Sequence, residues 1–142
     1  MKWLSVIICW FVLMGCGAKK NGFEEVKGSK LVVQVKNMNS GADDTEISYQ
    51  VKILPERSLT EKLSPEQKNN LWYKMDSCFY IQTEKIKVTP NLVQPIANGQ
   101  SGNYEFMLSF PADSAINDAS TLVYKDKYLN KETYNFKVNL KN

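Results

Sequence analysis

Four stretches of this 142-residue chain alternate apolar and other residues with period two. Leu31, Val33 and Val35 alternate with Val32, Gln34 and Lys36. Ile47, Tyr49, Val51 and Ile53 alternate with Ser48, Gln50 and Lys52. Tyr104, Phe106, Leu108 and Phe110 do the same against Glu105, Met107 and Ser109, as do Tyr134, Phe136, Val138 and Leu140 against Asn135, Lys137 and Asn139. In a strand, successive side chains point to opposite faces, so each stretch carries one apolar face and one wet face. That is the pattern of half-buried antiparallel strands. With shorter candidates at Cys78–Gln82, Lys85–Thr89 and Leu122–Tyr124, the tally is about seven strands. Pro90 and Pro95 bracket a segment that must be an edge or a loop. No long helices alternate with the strands, which excludes a parallel α/β sheet. The expected fold is all-β: two antiparallel sheets face to face in an immunoglobulin-like β-sandwich.

One segment breaks the rhythm, from Pro55 to Met75. Ser64-Pro65-Glu66-Gln67 places an N-capping Ser before a Pro at the first helical position and a Gln at the third. The spacing predicts a short helix from Pro65 to about Met75, packed through Leu71, Trp72 and Met75. This helical insertion (55–75) is expected to anchor to the sheet through Leu71 and Trp72, with its outer face free. Insertions on a rigid scaffold carry specificity, so Lys68, Asn69 and Lys74, which alternate with the packing residues, are the candidate partner-binding positions. Trp72-Tyr73 with Phe79 and Tyr80 nearby is a candidate aromatic patch. Burial of Trp72 beneath the insertion is the alternative, because a capped helix needs an apolar face to pack.

Composition narrows the chemistry. The chain has no histidine, which removes Ser-His-Asp triads, imidazole acid–base work and the commonest metal ligand together. Of three cysteines, only Cys78 lies beyond residue 16. It sits in the apolar run Cys78-Phe79-Tyr80-Ile81 and is expected to pack as a small hydrophobe. The net charge is +3 and Arg57 is the single arginine. Its lysines are dispersed along strands, unlike the clustered, Arg-rich footprint of a nucleic-acid binder. Asp43-Asp44 and the pair Asp113 and Asp118 lie at turns, where Asp serves local backbone needs. Neither has the ordered oxygen spacing of a calcium loop. The expectation is no metal, no cofactor and no enzymatic activity.

The N-terminus follows a secretory plan: Lys2, then an uncharged apolar run from Trp3 to Met14, then a small residue at Gly15. The run is shorter than the ~20 residues a membrane span needs. Leu13-Met14-Gly15-Cys16 resembles a bacterial lipobox. That resemblance implies cleavage before Cys16, with residues 1–15 lost as signal peptide. It also implies lipidation of Cys16 with two or three acyl chains, palmitate among them. More than one chain makes a stable membrane anchor. Gly17, where an Asp would retain the protein at the inner membrane under the enterobacterial sorting rule, favours the outer membrane. Residues 16–28, with Lys19, Lys20, Asn21, Gly22 and Gly28, read as a flexible tether. Residues 29–142 remain as one domain.

The strand order resembles that of telokin-like, immunoglobulin-like domains of small bacterial lipoproteins. The matching pieces are Val33-Gln34-Val35-Lys36-Asn37, Cys78-Phe79-Tyr80-Ile81, Asn98-Gly99 before Tyr104–Phe110, and Leu122-Val123-Tyr124-Lys125-Asp126. The chain departs from that family in having Asn98-Gly99 for a Pro-Gly-type turn, and in the helical insertion. The resemblance implies no catalytic residues. The expected function is non-enzymatic protein–protein contact by a lipid-anchored envelope protein. Small sandwich lipoproteins of type VI secretion systems are similar in size and anchoring, which makes a structural subunit of an envelope machine one alternative. A lipoprotein that binds glycan or a small molecule is another.

Overall fold

The computed structural model describes residues 22–39 and 45–140. Among these described residues nine strands form two antiparallel sheets. They are β1 (Glu24–Lys27), β2 (Leu31–Asn37), β3 (Glu46–Pro55), β4 (Phe79–Gln82), β5 (Lys87–Val88), β6 (Leu92–Pro95), β7 (Tyr104–Pro111), β8 (Thr121–Lys125) and β9 (Thr133–Lys137). The first sheet has the order β1-β2-β3-β7-β6 and the second β5-β4-β8-β9. This is a β-sandwich, with the apolar faces of both sheets turned inward. Phe106, Leu108, Phe110 and Ile53 from one sheet and Phe79, Ile81, Tyr124 and Phe136 from the other are almost wholly buried. Phe79 bridges them, its ring stacked on Tyr124 at 5.0 Å and tilted against Phe106 at 6.1 Å.

The strands beyond the expected seven are β1 and β6. Both are short edges whose pairing is carried by the backbone. β1 corrects the tether reading of residues 16–28. Glu24-Glu25-Val26-Lys27 shows no apolar alternation, yet it pairs in register with Val35 to Val32. A polar contact across the strands supports it, Gln34 Nε2 donating to Glu25 at 2.7 Å, and within β1 Lys27 lies 3.5 Å from the same carboxylate. The Lys52 ammonium sits 4.5 Å from the Phe23 ring centroid. Edges are short elsewhere too. β5 has two residues, and β6 opens just after Pro90 and Asn91 and closes on Pro95. Leu140 is a second correction. The alternation places it on the inner face, but β9 ends at Lys137 and Leu140 is exposed, its amide donating to Asp118 at 3.3 Å.

The insertion holds two helices and not one: α1 (Arg57–Thr60) and α2 (Pro65–Tyr73), followed by a 3-10 turn (Asp76–Cys78). α1 is a single turn whose Glu56 cap makes no side-chain bond, so it has no capping signature to read. α2 has the expected capping box. Ser64 Oγ accepts from the Gln67 amide at 3.2 Å, and Gln67 Oε1 accepts from the Ser64 amide at 2.9 Å. The helix stops at Tyr73, two residues earlier than its apolar spacing suggests. Met75 is still buried, as is Leu71.

The register sets two poles. β1 runs from the level of Val35 towards Val32, so the chain enters from the end of the sandwich that holds Asn37, Pro111 and Asn139. The insertion follows Pro55, which pairs with Leu31 at the other end. The turn from β6 to β7 and the loop from β8 to β9 share that helical end.

Candidate functional site

At the helical pole the insertion folds back on the sheet. Trp72, at the end of α2, lies with its ring centroid 4.9 Å from Tyr104 and 6.3 Å from Phe106. It is half-buried, so the insertion does pack over it without hiding it. Facing it is the 98–103 turn. Asn98 Oδ1 accepts from the Gln100 amide at 2.9 Å, and Gly99 and Gly102 both adopt positive φ, 69° and 83°. Side chains other than glycine avoid that region. Asn103 Nδ2 donates to Gln100 Oε1 at 2.9 Å, fixing the two amides relative to each other.

Between these walls runs an open groove of about 670 Å³. Arg57, Thr60, Glu61, Lys68 and Trp72 line it from the insertion, and Gln100, Ser101, Asn103 and Tyr104 from the strand end. Arg57 Nε lies 2.7 Å from Glu61 Oε1, one helical turn on, so these two charges cancel locally. Burial raises the Tyr104 hydroxyl above its ordinary range, keeping it a neutral group.

A buried carboxylate braces this pole. Asp126 is 3% exposed. Its Oδ2 accepts from the amides of Leu129, Asn130 and Lys131 at 2.9, 2.7 and 2.7 Å. Its Oδ1 accepts from the Tyr124 hydroxyl at 2.8 Å and the Tyr128 amide at 3.2 Å. The loop so formed grips the insertion: the Tyr128 hydroxyl donates to the Lys74 carbonyl at 3.0 Å, and Lys127 Nζ to Ser77 Oγ at 2.7 Å. Burial, and then the neighbouring Asp126 charge, hold the Tyr124 hydroxyl well above the usual tyrosine range.

Of the sequence-derived positions, Lys68 lines the groove. Asn69 and Lys74 are exposed on the same insertion but do not line it. Tyr73 is exposed, Phe79 is in the core, and Tyr80 lies on the other sheet, with the Lys87 ammonium 3.7 Å from its ring centroid. These aromatics form no single patch with Trp72. Leu13, Met14, Gly15 and Cys16, like Asp43 and Asp44, lie outside the described residues. Asp113 accepts from the Ala115 amide at 2.8 Å, a local turn bond. Sequence reasoning missed Arg57, Gln100, Ser101, Asn103 and the bracing role of Asp126. The glycines of the 98–103 turn were the one visible signal.

A smaller cavity of about 400 Å³ opens at the opposite pole, lined by Glu24, Lys36, Tyr49 and Lys137 among others. The Tyr49 hydroxyl is buried there with no hydrogen-bond partner among the described residues, and burial pushes its pKa up to about 12.

Cys78 is fully buried, and burial pushes its thiol up to about 11. The thiolate is the reactive form. In a chain starting at residue 22, Cys78 is the single thiol. At pH 8 it should resist iodoacetamide while folded and react fully in denaturant, as read by intact mass. Rapid labelling of the folded domain would contradict this burial.

The chain matches no protein-family model, no curated protein and no solved structure. Among the described residues no helix is long and apolar enough to cross a membrane.

Proposed function

We propose that this protein is a lipid-anchored, non-enzymatic binding module of the bacterial cell envelope. It works by contact at its helical pole. The observation that carries this reading is the opposition of the two poles. The chain enters the sandwich at one end, a few residues after the lipobox cysteine, and the groove lies at the other. From Cys16 to Gly22 the chain spans at most ~21 Å when extended. An anchored molecule therefore keeps its entry pole near the bilayer and turns the groove outward. The site offers hydrogen-bonding and stacking surfaces held by a braced frame, which suits recognition.

Two results are expected. Metabolic labelling with an alkyne fatty acid should mark the native protein and not Cys16→Ser; label retained on the Ser variant would remove the anchor from the proposal. Changing Lys68, Asn69 and Lys74 together to Ala should weaken retention of the envelope partner. The melting temperature should hold, since exposed positions typically shift stability by less than ~0.5 kcal/mol. If retention is unchanged and Lys137→Glu abolishes it, the contact surface is the sheet and not the helical pole.

A further inference from the structure

We propose that the groove at the helical pole is a saccharide site, which takes an uncharged oligosaccharide lying across Trp72. This inference rests on the reading of that pole as the binding end, and it names what binds. Its first support is the half-buried Trp72, held on Tyr104 at 4.9 Å. A fixed aromatic ring offers a flat apolar surface at low entropic cost, matching the C–H face of a pyranose. The second is the chemistry of the walls. Thr60, Gln100, Ser101 and Asn103 carry hydroxyls and amides, groups that both donate and accept. Sugar hydroxyls have the same dual character. The Gln100–Asn103 bond already orients two of these amides.

Charge supplies the third argument. Arg57 and Glu61 neutralise each other at 2.7 Å, leaving Lys68 as the one further charge lining the groove. A phosphate or polyanion site gathers several unpaired cations, and among the described lining residues only Lys68 remains once Arg57 is paired with Glu61. Its shape is the fourth. About 670 Å³ lies within the range of ligand sites, and the groove is open, which suits a chain of sugars more than an enclosed small molecule.

The chain carries its own reporter. Trp3 and Trp10 fall within residues 1–15, so Trp72 is the single tryptophan of the processed protein. The test titrates the processed protein in detergent with fully N-acetylated chitotetraose and with cellotetraose, both uncharged, following Trp72 fluorescence and, in parallel, heat by calorimetry. A saturable response to either is expected, weakened about tenfold or more in Gln100→Ala/Asn103→Ala. That variant should keep the parent melting temperature, and Lys137→Ala should bind as the parent does. No saturable signal from either oligosaccharide up to ~10 mM would overturn the inference. So would binding that the double variant leaves unchanged. If neither sugar binds but the Lys68/Asn69/Lys74 variant still loses its envelope partner, the groove end recognises polypeptide. In that case the binding-pole reading stands and the saccharide falls. If the partner is retained as well, both fall.

Discussion

Truncation of Phe106 or Phe136 to Ala is expected to cost ~3–5 kcal/mol each, against less than ~0.5 kcal/mol for Lys137→Ala. Phe106 is wholly buried and Phe136 is 2% exposed, whereas Lys137, the next residue along β9, faces solvent. Each ring leaves a cavity that its neighbours cannot fill, because interiors pack as densely as organic crystals. Phe106 also supports Phe79 and Trp72, so its loss loosens both the core and the floor of the groove. A domain of this kind has a total stability of only ~5–15 kcal/mol. Thermal melts of residues 22–142 should therefore fall by roughly 10–20 °C for either Phe variant. Equal losses at Phe136 and Lys137 would contradict the register of β9.

The second large effect is expected at Asp126. Asp126→Ala strips the acceptor from four backbone amides and one tyrosine hydroxyl. Leaving such donors buried and unpaired costs ~1–3 kcal/mol apiece before relaxation, and a total of ~3–4 kcal/mol is expected. Asp126→Asn should cost less, about 1–2 kcal/mol. Its carbonyl oxygen can face the three amides of Leu129, Asn130 and Lys131, while its NH2 donates to a Tyr124 hydroxyl that turns round to accept. The ranking Ala worse than Asn worse than parent is the expected order in melting temperature. Hydrogen exchange at 128–131 should rise in the same order. Ala and Asn variants of equal stability would mean that the carboxylate is not the centre of this loop.

The long strands were legible because their chemistry is local. Ile47 to Ile53 announce both faces residue by residue, and the capping box at Ser64 does the same for α2. Tyr104 to Phe110 announce the inner face alone, because Glu105 and Ser109 opposite are buried too, bonded to Gln50 and Glu46 of β3. What was not legible depends on parts of the chain that meet only after folding. β1 has an edge's composition, so its backbone pairing with β2 leaves no periodic trace. Gly28 reads as a linker glycine. Yet a Cβ there would stand 2.3 Å from the Tyr134 hydroxyl and 2.2 Å from Glu132, residues over a hundred positions away. Asp126 looks like an ordinary turn Asp until four loop amides and the hydroxyl of Tyr124 on β8 converge on it. The groove is the extreme case. Arg57 and Gln100 are brought to one pole because β3 and β7 pair antiparallel, Ile53 opposite Tyr104, a fact about pairing that neither local sequence carries.

The shortness of the sheet edges has a bearing on life at a surface. Molecules confined to a bilayer leaflet meet one another at an effective concentration far above that of the same number free in solution. Exposed strand edges are templates for pairing between copies. Here β5 offers two residues and β6 four, the last of them Pro95. Pro95 has no N–H to give, and the other two edges, β1 with four residues and β9 with five, are short as well. On the anchored reading, such a molecule can crowd a membrane densely without polymerising, leaving a lawn of separate groove-bearing heads.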